Sequence, residues 1–131
     1  MTIFALKNKD KVVEKLTKYV EKNNIKSGVL LALGALEQAD LMIYNLKTKK
    51  YLSKHLEGPI EVTNFIAVIG KDPEGNCHIH PHITLCDKSF KSFGGHLKEA
   101  VVGATLEVVV IESDQAIERY ADSEIGLNLI S

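Results

Sequence analysis

From Asp10 to Asn24 the apolar positions Val12, Val13, Leu16, Tyr19 and Val20 recur at helical spacing, which predicts one long amphipathic helix. Asn8 stands where a capping side chain is expected, and Asp10 lies favourably near the helix start. Lys11, Lys15, Lys18 and Lys22 share another side of that helix. Ion pairs with Glu14 and Glu21 would make this stripe an ordinary solvated face; contact with phosphate is the alternative. After Ile25-Lys26-Ser27-Gly28 the period changes to that of strands. Val29 to Leu36, interrupted at Gly34, and then Ala39 to Tyr44 read as strands, with Gly34 marking a bulge or bend. Asn45 to Lys50 reads as a hairpin connection into an outer strand over Tyr51 to Leu56, and Gly58-Pro59 punctuates. Ile60 to Gly70 is expected as a strand with Val62, Ile66 and Val68 on one face, ended by a turn at Asp72-Pro73-Glu74-Gly75-Asn76. Cys77 to Cys86 is the next strand, and a return through Phe90, Phe93 and Gly94-Gly95 leads to His96. Ala100 to Ile111 is a long β-branched strand, and Ile117 to Ser131 is a short helix or turn plus a last strand. One helix among hairpin-joined strands gives an α/β (α+β) class built on a mainly antiparallel sheet.

Composition narrows the function classes. A chain of 131 residues with 45% hydrophobic and 25% charged positions is expected to be a single domain, 1–131, with one core. Sixteen basic residues against seventeen acidic ones leave a formal net charge of -1, so no global field draws the protein to nucleic acid or anionic lipid. Arg119 is the only arginine, and the bidentate side chain that most often reads guanine edges is therefore nearly absent. Met1 to Leu6 is too short for a signal peptide, and the apolar run Val29 to Leu36 is too short for a membrane helix. Cys77 and Cys86, the only cysteines, fit a reducing cytoplasm. On one extended strand they would stand roughly 30 Å apart, which excludes a disulfide between them.

The chemistry concentrates in the histidines. His78-Ile79-His80-Pro81-His82 alternates strictly, and alternate residues of a strand share a face. Neighbours in this series sit ~7 Å apart at Cα, close enough for two rings to lean onto one metal, whereas His78 and His82 sit roughly 13 Å apart. One His-x-His pair therefore needs a third ligand from elsewhere. His96 is the natural choice, because the hairpin returns beside the same strand and Gly94-Gly95 lets the backbone approach. Three neutral imidazoles, one such pair together with His96, suit zinc first among divalent transition metals, with a fourth position left for water, substrate or another side chain. Cys86 shares the parity of the histidines and is read as a packed small side chain. Pro81 lacks an amide donor, so its strand should lie at an edge or carry a bulge. Catalysis would need an acid or base near the metal, for which Glu61, Glu107 and Asp122 are the candidates. No phosphate loop, nucleophile elbow or zinc-protease helix motif is present.

Four motifs together resemble the PPC domain, conserved in plants and prokaryotes. They are Gly28 to Leu36 with its Leu33-Gly34-Ala35-Leu36 turn, Gly58-Pro59-Ile60-Glu61-Val62, His80-Pro81-His82 followed by Gly94-Gly95-His96-Leu97, and Gly103-Ala104-Thr105-Leu106-Glu107-Val108. Glu118-Arg119 and Gly126-Leu127 also look like the family's tail. The resemblance selects His80 and His82 over His78 as the pair that joins His96, and it implies a homotrimer, a histidine-bound metal near the subunit contacts, and a description as a DNA-binding protein. The Arg-Gly-Arg-Pro core of an AT-hook is absent, so any DNA binding is expected to be weak, salt-sensitive and without strong sequence preference. Pro81, His78 and Asn64 depart from the family's usual pattern. Two functions follow: a metal-binding, self-associating protein that engages DNA, or a metal-dependent enzyme acting on a small molecule at the three-histidine site.

Overall fold

The computed structural model describes residues 1–130. In chain order the elements are β1 (Thr2–Lys7), α1 (Val12–Lys22), β2 (Gly28–Asn45), β3 (Lys50–Lys71), β4 (Cys77–Asp87), β5 (Ser92–Glu112), β6 (Arg119–Asp122) and β7 (Leu127–Ile130). The five long strands form one antiparallel sheet in the order β1-β5-β2-β3-β4, and β4 also pairs with β5. That extra pairing rolls β2, β3, β4 and β5 into a closed ring. Strand β5 makes this possible by its length: it pairs with β2 from His96 to Glu112 and with β4 from Ser92 to His96.

Helix α1 covers one face of the sheet. Its residues Val12, Leu16 and Val20, four apart, are fully buried against inward-facing Leu30, Leu36, Phe65, Ile69, Leu85, Val102 and Val108. It spans 11 residues and is shorter than the long helix the periodicity suggests. Asp10 and Lys11 are held extended by a bond from the Val102 N–H to the Asp10 carbonyl and by a bridge between Lys11 and Val101. At the other end Asn24 takes a left-handed φ of 56°, and the Ile25 N–H closes onto the Val20 carbonyl, a Schellman-type stop. Asn8 does not cap the helix; its amide donates to the Gly103 carbonyl instead. The first-turn N–H groups of Val13 and Glu14 donate to the Glu99 carboxylate at 2.8 and 3.2 Å, so a residue of β5 supplies the cap.

Where the sequence suggests two pairs of short strands, the chain makes two long ones. Strand β2 runs through Gly34 and Glu37 with register shifts, and β3 runs through Gly58-Pro59. Gly34, at φ +146°, lies so close to β5 that an added Cβ would sit 2.2 Å from the Thr105 carbonyl oxygen. A further shift between Val62 and Asn64 reverses the parity of β3, so Val62 is buried while Ile66 and Val68 face outward, contrary to their expected common face. In the tail the expected turn and last strand, β7, are present and are joined by a further strand, β6, into a hairpin, while Ser131 lies outside the described residues. No helix among the described residues is long and apolar enough to cross a membrane.

Candidate metal centre

Strand β4 buries Ile79, Pro81, Ile83 and Leu85 toward the core, and the pleat therefore turns His78, His80 and His82 to the opposite face of the sheet. Pro81 pairs with Ala67 of β3 only, because the β4–β5 ladder ends at His82↔His96. It sits on the edge half of its strand, where a missing N–H costs nothing. At the last rung His96 lies directly across from His82, and Met42 of β2 lies on its other side. Gly95 allows this double pairing: its φ is +156°, and a Cβ there would come within 2.8 Å of the Met42 carbonyl oxygen.

The ring centroids of His80, His82 and His96 are 5.0, 5.2 and 5.6 Å apart. One nitrogen from each ring lies within 4.8 Å of the others. Tetrahedral nitrogen ligands around zinc stand about 3.4 Å apart, so small ring rotations suffice to draw the set onto one ion. His82 is exposed and the other two are half-buried. His78 stays outside the triad, its ring 6.4 Å from that of His80. Burial, and then the Arg119 guanidinium and the neighbouring rings, push the His80 pKa down to about 4, while burial followed by the charges of His82 and His78 lowers that of His96. Rings kept neutral near pH 7 present lone pairs, and the donor set therefore fits a divalent transition metal.

Several neighbours were not singled out by sequence reasoning. Arg119, at the start of β6, is 5% exposed; its Nη2 lies 3.2 Å from His80 Nδ1 and its Nη1 donates to the Asn128 carbonyl. Its Nε has no hydrogen-bond partner among the described residues. The signal available in the sequence was its singularity, one arginine among sixteen basic residues. Tyr51 packs at 5.9 Å from the His96 ring and at 5.1 Å from Tyr44, whose hydroxyl donates to the Ile125 carbonyl. These contacts tie the β6–β7 hairpin to the β2–β3 arm beside the histidines. The fifth histidine, His55, is elsewhere: it lies between Glu57 and Asp40, whose carboxylates raise its pKa.

The carboxylates considered as acid or base do not join the cluster. Glu61 pairs with Cys86 and Glu107 with Ala5, while Asp122 accepts the N–H groups of Glu124 and Ile125 in the hairpin turn. None hydrogen-bonds to a histidine among the described residues. Cys77 and Cys86 occupy opposite ends of β4 and are free thiols. The basic stripe is partly neutralised, with Lys15 paired to Asp10 at 3.2 Å and Lys18 paired to Glu14.

Beside the histidines the outer face carries two aliphatic rows. Cross-strand pairing sets Ile3, Val109, Leu31, Ile66 and His82 in one row, and Ile111, Val29, Val68 and His80 in the next. Ile3 is 66% exposed, and Ile66 and Ile111 are each 43% exposed. A row of aliphatic side chains left in water on a sheet face marks a contact surface.

Comparison with known proteins gives a consistent picture. The family model of the Plants and Prokaryotes Conserved (PCC) domain matches residues 1–114. No curated protein matches the sequence. Among solved structures, a Bacteroides thetaiotaomicron protein provisionally named DNA-binding is 27% identical, covering 98% of this chain and 90% of its own, with a TM-score of 0.93. A metal-containing protein of Archaeoglobus fulgidus is also 27% identical, covering 99% and 91%, with a TM-score of 0.89. A plant- and prokaryote-conserved protein of Pyrococcus horikoshii, 22% identical over 99% and 90%, has a TM-score of 0.90 and shares the fold.

Proposed function

This chain belongs to the Plants and Prokaryotes Conserved domain family, and on that premise we propose that it works in the cytoplasm as a self-associating metal-binding protein, a homotrimer holding zinc at His80, His82 and His96. The observation that carries this reading is the continuity of two features. The apolar rows of the outer sheet face end on His82 and His80, so the surface best suited to burial against another copy has the histidine triad at its rim. Burying Ile3, Ile66 and Ile111 would contribute roughly 25 cal/mol for each Å² of apolar surface removed from water. The metal-containing Archaeoglobus relative, which shares the fold throughout, supports the metal half. His80, His82 and His96 would hold the zinc, which would supply a positive charge that fixes the three rings in one arrangement.

The provisional DNA-binding name of the Bacteroides relative supports a nucleic-acid role. Fifteen lysines and a single arginine suit phosphate contacts better than base readout. DNA binding is then weak for one chain, summed over three, and steeply reduced by salt.

Elemental analysis combined with mass in solution tests the proposal. After zinc loading and dialysis the chain should retain one zinc per protomer and run at three times its own mass. His82→Ala should lose the metal, and Ile66→Lys, which sets a charge in the apolar row, should shift the mass toward the monomer. Zinc-free wild-type protein after loading, or a wild-type monomer at micromolar concentration, would overturn it.

A further inference from the structure

Arg119 poses a problem that the metal reading alone leaves unsolved. The guanidinium is buried, no acidic side chain among the described residues pairs with it, and its Nε lacks any acceptor. A buried cation without a partner is costly, and polar groups in that condition mark places where something else binds. Nη1 is occupied by the Asn128 carbonyl. The remaining edge, Nε with Nη2, is a pair of parallel N–H groups spaced to take both oxygens of one carboxylate, and it is directed at His80.

The contact with His80 cannot persist when that ring holds a metal. Arg119 Nη2 can only donate, so His80 Nδ1 must accept. A neutral imidazole that accepts at Nδ1 carries its proton on Nε2, and then neither nitrogen has a lone pair to spare. A metal at Nδ1 displaces the guanidinium directly. A metal at Nε2 moves the proton to Nδ1, where two donors face each other. Either way metal loading releases the Nε–Nη2 edge. Charge points in the same direction: three neutral ligands would leave a divalent ion uncompensated, Arg119 adds another positive charge beside it, and among the described residues no carboxylate bonds to the cluster or to Arg119. The described residues leave that charge for a bound anion to supply.

We propose that Arg119 is the anion-binding half of this site, and that a small organic carboxylate seats on its Nε–Nη2 edge beside the metal. The inference rests on the three-histidine metal reading and names its ligand class. A substrate of this class would give the site the small-molecule chemistry that an open coordination position allows.

The test uses the full chain loaded with cobalt, titrated calorimetrically with isobutyrate and, separately, with inorganic phosphate, while the cobalt absorption bands report events at the metal. Isobutyrate should bind the cobalt protein and shift the bands, and should bind metal-free protein at least tenfold more weakly. By linkage it should tighten cobalt retention by the same factor. Arg119→Lys keeps the charge but loses the paired donors, and Arg119→Gln loses both. Each should retain cobalt at wild-type stoichiometry and weaken isobutyrate tenfold or more. Wild-type affinity in both variants, equal affinity with and without cobalt, or tighter binding of phosphate than of isobutyrate overturns the assignment. If the wild type takes up no cobalt, the metal reading has failed. The guanidinium is then judged on metal-free protein, where isobutyrate binding lost in Arg119→Lys supports its role and no binding overturns it.

Discussion

Replacing His80 with glutamine removes an imidazole whose pKa is pushed down to about 4 by burial and the Arg119 guanidinium. In the unfolded chain the same ring titrates near 6.5. Between those two values the unfolded chain holds the proton and the folded chain does not. The stability of the metal-free protein therefore rises with pH from about 4 to 6.5 and is lost on acidification through that window. At ~1.4 kcal/mol per pH unit the whole gap sets an upper bound of roughly 3 kcal/mol, of which at most roughly 2 kcal/mol falls between pH 7 and pH 5, because solvent around a half-buried ring screens part of it. His96 and His78 are shifted in the same direction and His55 in the opposite one, but all three remain in the variant. The difference in slope between wild type and His80→Gln thus isolates His80. Urea unfolding at pH 7 and pH 5, with a chelator present and at fixed chain concentration, measures it. The wild type should lose up to roughly 2 kcal/mol more than the variant on going to pH 5. Equal losses, or a wild type that gains stability in acid, would refute the reasoning that the fold holds this ring neutral.

Two further outcomes follow from the backbone. Glu99→Ala removes the acceptor for the Val13 and Glu14 N–H groups, and should cost about 1–2 kcal/mol in urea unfolding with a loss of helical signal at elevated temperature. Gly34→Ala drives a methyl group into the Thr105 carbonyl at a left-handed φ, and should cost at least ~2 kcal/mol, measured as a lowered unfolding midpoint.

Much of this molecule was legible from alternation and spacing. The helix centre, the hairpin at Asn45 to Lys50 and the common face of His78, His80 and His82 all follow from periods of 3.6 and 2 that local geometry enforces. What escaped was non-local. The bulge between Val62 and Asn64 changes which side chains of β3 face inward, and neither glycine nor proline marks the shift in the sequence. The helix cap came from Glu99, 86 residues along the chain from Val13, so the nearby Asn8 was the natural but incorrect choice. The histidine triad was visible because its members lie in one hairpin. Arg119 reaches the same spot from the far end of the chain, and only the folded tail shows that it does.

Strand β1 emerges long before the partner it needs: Thr2 pairs with Val110 and Lys7 with Thr105. During synthesis at roughly 5–20 residues per second, this segment must wait several seconds for β5 to emerge. Phe4 and Leu6, destined for the interior, stay uncovered for that interval. Until β5 joins it, β1 is therefore a segment open to mispairing and to chaperone capture.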